Sequence, residues 1–73
     1  MTLDQAPTGA PVHVTGADLE PALTRRLAEL GVRAGQTVTP MHRTSGGARV
    51  VGVDHTRVAL ARAVLRRIEV VPA

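Results

Sequence analysis

The chain has 73 residues, a formal net charge of +3 at pH 7, and no Cys, Phe, Trp or Tyr. A chain this short builds one thin aliphatic core, which leaves little room for the pocket of a self-sufficient enzyme. The lack of Cys excludes disulfides, thiolate zinc sites and iron–sulfur clusters. No apolar run approaches the ~20 residues that span a bilayer, and the N-terminus lacks a signal-peptide pattern. We therefore expect a small cytoplasmic protein that is not an enzyme and binds no cofactor.

All nine basic side chains are Arg, and six carboxylates oppose them. This mild positive balance favours acidic partners or an anionic surface. The absence of Lys and Asn, beside eleven Ala and eleven Val, is also typical of a GC-rich genome. The Arg content by itself therefore does not indicate phosphate recognition.

One amphipathic helix is predicted over about residues 19–30. Asp18 is placed to cap its N-terminus, Pro21 is tolerated only in its first turn, and Gly31 suits the left-handed position that follows a helix. A stripe with a 3.6-residue period predicts the helix face that packs on the core, and it consists of Leu19, Leu23, Leu27 and Leu30.

Alternating and β-branched stretches predict five short strands. The first two begin near Val12 and Thr37, the next two cover 48–53 and 57–61, and the last is 68–71. Pro40 places the second strand at an edge or in a bulge.

The connections complete the prediction of the fold. Turns between neighbouring strands are predicted at Thr44–Gly47 and Asp54–Thr56. Gly35 supplies a turn before the second strand, and a short helical turn is predicted at residues 62–66. Five short strands and one helix in so short a chain predict a mainly β fold, a small, five-stranded, partly open barrel.

Three His side chains raise the question of a metal site. If the Thr44–Gly47 connection makes a regular hairpin, His42 lies opposite Arg49, and His55 is then about 20 Å away at ~3.3 Å per residue. His13 stands alone in the first strand. Because metal ligands must approach within ~2 Å of one ion, we expect three unrelated surface histidines and no metal site.

Binding of nucleic acid is the alternative function. Arginines cluster near predicted strand ends and in two doublets, namely Arg43, Arg49, Arg57, Arg25-Arg26 and Arg66-Arg67. Small barrels that bind single strands normally stack the bases on aromatic side chains, which this chain lacks. Phosphate contacts alone would give non-specific, salt-sensitive binding.

The remaining class of function is a protein-binding module. The lack of aromatic side chains argues against a groove that binds proline-rich peptides. The polar face of the helix and the arginines near the second helical turn are the candidate contacts with a partner: Arg25, Arg26, Glu29, Arg62 and Arg66. Pairing of an edge strand between two copies leaves a homo-oligomer open as well.

The stretch from Arg25 to Val38, RRLAELGVRAGQTV, resembles the helix–turn–strand signature of the FeoA family. Val58-Ala59-Leu60 and Ile68-Glu69-Val70 resemble the closing elements of the same family, and Ala34 departs from it where many relatives have Pro. The resemblance covers nearly the whole chain. The residues expected to maintain this fold are Leu23, Leu27, Leu30, Gly31, Gly35, Val38, Leu60 and Ile68.

The resemblance implies that residues 1–73 form a single SH3-like barrel and that the protein is an accessory factor of bacterial ferrous iron uptake. Its implied partner is a FeoB-type transporter, contacted at the cytoplasmic GTP-binding region, and the membrane is reached only through that transporter. The implied mode of action is regulation by protein–protein interaction.

Overall fold

The computed structural model describes residues 1–73 and contains five strands and two helices. In chain order these are β1 (Val12–Ala17), α1 (Pro21–Glu29), β2 (Thr37–Arg43), β3 (Arg49–Val53), β4 (Thr56–Leu60), α2 (Arg62–Leu65) and β5 (Ile68–Pro72). A short 3₁₀ turn connects β2 to β3, and two residues connect β3 to β4. All five predicted strands and both predicted helical segments are therefore confirmed. Neither helix has the length and hydropathy needed to cross a bilayer.

The strands form one antiparallel sheet in the order β4-β3-β2-β1-β5. The principal extents of the molecule are 26 × 26 × 24 Å, so the sheet is strongly curled rather than flat. Hydrogen bonds do not close it, because β4 and β5 each have only one neighbouring strand. The predicted mainly β, partly open, five-stranded barrel is confirmed.

Pro40 lies inside β2 beside an irregularity, as predicted for a proline in a strand. The β2–β3 register shifts between Pro40 and Arg43, and the carbonyl of Pro40 accepts a hydrogen bond from the Gly9 N–H over 2.8 Å. Because N and O of one strand residue point to the same side, the Pro40 nitrogen faces away from β3 and breaks no bond of that ladder. The shift pairs Arg49 with Arg43. The prediction that placed His42 opposite Arg49 was wrong, since it assumed a regular hairpin.

Helix α1 begins at Pro21, two residues later than predicted. Glu20 occupies the cap position with extended backbone angles and makes no side-chain cap bond, so the prediction that Asp18 caps the helix was wrong. The physical reason is Pro21, whose ring disfavours helical angles in the residue before it. The Asp18 carboxylate instead lies 3.4 Å from Arg67.

The C-terminal end of α1 confirms the predicted left-handed glycine. Gly31 has a φ of +97°, its N–H donates to Ala28 O over 3.0 Å, and the Val32 N–H donates to Leu27 O over 2.9 Å. These two bonds form a Schellman motif. The motif folds Val32 back into the core, and Leu30 remains 45 % exposed. The prediction that Leu30 belongs to the buried stripe was wrong: Leu30 is the C-terminal cap of the helix, and because the chain turns at Gly31, Val32 takes the place in the core.

The core is aliphatic and includes the N-terminal segment, defined here as Met1–Pro11. Leu3 is fully buried, its N–H donates to Ile68 O over 2.8 Å, and the Val70 N–H donates to Met1 O over 2.8 Å. The first residues therefore cover the free edge of β5. The thirteen buried apolar residues are Leu3, Ala6, Val12, Val14, Leu27, Val32, Val38, Val51, Val53, Leu60, Leu65, Ile68 and Val70.

Candidate partner-binding surface

Three arginines from two parts of the chain converge on one carboxylate. Arg43 Nη1 at the end of β2 donates to Asp4 Oδ1 over 2.9 Å. Arg62 Nε at the start of α2 lies 3.7 Å from Asp4 Oδ1, and Arg66 Nε, just after α2, lies 3.6 Å from Asp4 Oδ2. We call these four residues the Asp4 cluster. It joins the N-terminal segment to β2 and α2.

The charge balance of the Asp4 cluster is strongly positive, with three guanidinium groups around one carboxylate. Burial acts to raise the pKa of Asp4, but the hydrogen bond from Arg43 and the charges of Arg43, Arg62 and Arg66 outweigh it and lower that pKa below its ordinary value of 3.8. The carboxylate is therefore ionised throughout the neutral range.

Arg49 lies beneath this cluster and is only 2 % exposed. Its guanidinium donates to the carbonyls of Leu3 and Met41 over 3.1 Å each and to Thr8 Oγ1 over 2.9 Å. Burial, followed by the charge of Arg43, lowers the pKa of Arg49, and Asp4 partly opposes that effect. Arginine suits this position because five donors on a planar fork can satisfy several backbone oxygens at once. Arg49 thereby fixes the N-terminal segment to β2 and β3.

The predicted partner-facing residues fall into two groups. Arg25, Arg26 and Glu29 are exposed on α1, and none of them takes part in an ion pair. Arg62 and Arg66 belong to the Asp4 cluster. No hydrogen bond or ion pair links the two groups, so the structure does not join all five into one charged constellation.

A small apolar cavity of about 110 Å³ lies between α1 and the sheet. Aliphatic side chains from both elements form most of its wall, with Arg33 at its side. The Arg33 guanidinium is held there by a 3.2 Å hydrogen bond from Nη1 to Ala28 O. The sequence pattern does not predict this cavity, because its lining residues are dispersed over four segments of the chain, within 14–19, 24–28 and 32–34 and at Ile68.

The three His side chains are exposed at different places. His13 lies in β1 with Nδ1 2.7 Å from Thr37 Oγ1, His42 lies in β2, and His55 lies in the turn before β4. The protein contains no group of three or more His, Cys, Asp or Glu side chains that could hold a metal ion.

Comparison with known proteins decides the family. A sequence model of the FeoA domain matches residues 1–72. The chain belongs to the FeoA family. A search of curated proteins gave no significant match.

Solved structures of FeoA proteins share this fold. FeoA from Chlorobium tepidum is 26 % identical, superposes with a TM-score of 0.91, and the aligned region covers 99 % of this chain and 70 % of that one. FeoA from Stenotrophomonas maltophilia, a prokaryotic SH3 domain protein solved with zinc, is 30 % identical with a TM-score of 0.79, covering 97 % and 89 % of the two chains. An iron uptake regulatory protein, also a FeoA, is 18 % identical with a TM-score of 0.84 and coverages of 96 % and 93 %. The predicted SH3-like class is therefore confirmed.

Most of the residues expected to maintain the FeoA fold lie in or against its core. Leu27, Val38, Leu60 and Ile68 are buried, and Leu23 is half-buried against them. Gly31 and Gly35 both have positive φ angles, +97° and +90°. An added Cβ at Gly31 would lie 2.6 Å from Val53 Cγ1, so this FeoA chain needs glycine there for space as well as for backbone angle.

Sequence reasoning missed the roles of Asp4 and Arg49. A signal for Arg49 was available, since Arg49, Val51 and Val53 alternate along β3 and their side chains share the inward face. Asp4 offered no comparable signal, because its role depends on three arginines that are 39 to 62 positions away in the sequence.

Proposed function

We propose that this protein is a cytoplasmic accessory factor of ferrous iron uptake that acts by binding a FeoB-type transporter at its cytoplasmic GTP-binding region. The FeoA family match over residues 1–72 carries the proposal. The Stenotrophomonas maltophilia relative is described as a candidate activating factor of bacterial ferrous iron transport, which supports the same assignment. The protein regulates by contact and carries out no catalysis of its own.

The proposed contact surface is the set of exposed charges on α1, with the two α2-side arginines as a second contact. Arg25, Arg26 and Glu29 are free of ion pairs, so a partner can engage them without first breaking an internal bond. Charges of this kind steer association and set specificity more than they add affinity. An acidic patch on the transporter is the complementary surface.

The test is a titration of the isotopically labelled protein with the purified GTP-binding domain, with and without nucleotide. Saturable amide shifts are expected on α1, and the double variant Arg25→Glu/Arg26→Glu should weaken binding by about tenfold or more through like-charge repulsion. Arg57→Glu is the matched control, because Arg57 is exposed on β4 and forms no ion pair. The rate of GTP hydrolysis is measured in parallel.

Two results would contradict the proposal. The first is an absence of both shifts and rate change with the GTP-binding domain. The second is saturable binding of a short oligonucleotide that survives physiological salt, which would favour the nucleic-acid alternative.

A further inference from the structure

We infer that the arginines of the Asp4 cluster form a carboxylate-binding site for an acidic peptide segment. The Asp4 carboxylate competes with the carboxylates of that peptide for the same arginines. The segment is taken to belong to the partner in the proposed function, on which this part of the inference rests. The site itself is formed by residues of this chain and does not depend on which protein supplies the peptide.

The first support is the number of unused donors. Arg43 uses three of its five N–H donors, which bond the Asp4 carboxylate, the Asp4 carbonyl and the Gly47 carbonyl. The side chains of Arg62 and Arg66 make no hydrogen bond with any protein group, and their 3.7 and 3.6 Å approaches to Asp4 are too long for one. Their side chains are 45 % and 63 % exposed, so both forks are open to an incoming carboxylate.

The second support is the way Arg62 is held. Gly47 has a φ of +86°, and a Cβ at this position would lie only 3.1 Å from Cζ and Nε of Arg62. The guanidinium therefore packs directly on the backbone of the turn between β2 and β3. A packed guanidinium loses less side-chain entropy on binding than a free one, and bidentate pairing with carboxylate is the geometry that Arg favours.

The third support identifies the ligand as separate carboxylates rather than a continuous polyanion. The groove beside Arg66 is also lined by Asp18 and Glu69, and Arg67 in that groove lies 3.4 Å from Asp18. A nucleic-acid backbone or an anionic membrane laid along the groove would meet these two acidic groups. A peptide with spaced Asp or Glu side chains can place one carboxylate at Arg62 and Arg66 and avoid them.

Asp4 limits the affinity of this site, because its carboxylate already neutralises part of the positive charge. Removing that charge leaves three guanidinium groups facing the ligand without compensation. The fold is then less stable, yet the site binds anions more tightly. A merely structural ion cluster would show only the first of these effects.

The test uses the full chain and an acetylated, amidated peptide with three Glu residues flanked by Gly, with the Gln peptide as its control. The wild type should bind the Glu peptide weakly and more weakly still at higher salt. Asp4→Asn should bind it at least about threefold more tightly, and Arg62→Gln/Arg66→Gln about three- to tenfold less tightly. Arg57→Gln, exposed on β4, should leave the affinity unchanged. Amide spectra verify that each variant is folded.

Three results would overturn the inference: equal binding of the Glu and Gln peptides, unchanged affinity in Arg62→Gln/Arg66→Gln, or unchanged or weaker affinity in folded Asp4→Asn. If Asp4→Asn does not fold, the arginine variant decides alone. Tighter binding of inorganic phosphate or an oligonucleotide than of the Glu peptide at equal charge would also overturn it.

Repeating the titration with the GTP-binding domain separates the two proposals. Binding of the peptide without binding of the domain contradicts only the proposed function. Binding of the domain with an affinity that these variants leave unchanged contradicts only the carboxylate site.

Discussion

The arginines of α1 and the arginines around Asp4 differ in their contacts: the first are exposed and unpaired, and the second are bonded to other segments of the chain. Arg25 and Arg26 lie on a regular helix and form no ion pair, whereas Arg43 and Arg49 connect distant segments through bonds to Asp4 and to backbone carbonyls. An arginine of the first kind affects only what approaches the surface. An arginine of the second kind also determines whether the N-terminal segment stays in place. Residue type alone therefore does not separate a recognition charge from a structural one.

The largest expected effect comes from breaking the structural side of this comparison at Arg49. Arg49→Ala leaves the carbonyls of Leu3 and Met41 without their side-chain donor and opens a void, so we expect the free energy of unfolding to fall by about 2–4 kcal/mol. Urea denaturation measures it. Arg57→Ala is the control and should change stability by no more than about 0.5 kcal/mol. Equal stabilities of the two variants would show that the buried guanidinium of Arg49 does not hold the N-terminal segment in place.

An intermediate effect is expected from the ionisation of Asp4. The folded protein lowers the pKa of Asp4 below 3.8, so this group contributes stability that is present above pH 3.8 and is lost as the pH falls through the lower folded value. The wild type should therefore lose stability more steeply than Asp4→Asn as the pH falls below about 4. Thermal unfolding of both proteins between pH 7 and pH 2.5 provides the comparison, and parallel curves would contradict it.

The smallest effect on stability is expected on the recognition side. Arg25→Ala/Arg26→Ala removes two exposed side chains without ion pairs, so the free energy of unfolding should change by no more than about 0.5 kcal/mol. The same urea experiment measures it, with Arg43→Ala as the contrasting variant, whose loss of the bond to Asp4 should cost about 1 kcal/mol. A larger loss for the α1 pair than for Arg43 would reverse the comparison.

Local patterns in the sequence were sufficient for most of the fold. Gly31 at the end of α1 and the proline in β2 each have a conformational requirement that neighbouring residues reveal. The errors arose where a local rule met a second constraint. Asp18 is a good cap in isolation, but Pro21 delays the helix start, and Leu30 fits the apolar period but lies beyond the helix end.

The candidate site was less predictable than the fold because it depends on contacts between distant segments. Arg62 and Arg66 were identifiable as surface charges, but their association through Asp4 depends on the path of the N-terminal segment. That path is set by Leu3 in the core and by Arg49 below it, neither of which leaves a motif at Asp4.

The pairing of β1 with β5 has a consequence for the order in which the protein folds. Val12 pairs with Pro72, and the Met1 carbonyl accepts from Val70, so almost the whole chain lies between these partners, whereas β3 and β4 are joined by two residues. Closing the longer loop costs more chain entropy and slows contact formation. The β3–β4 hairpin is therefore expected to form first. During synthesis on the ribosome, the Leu3 N–H cannot form its hydrogen bond with the Ile68 carbonyl until β5 has been made.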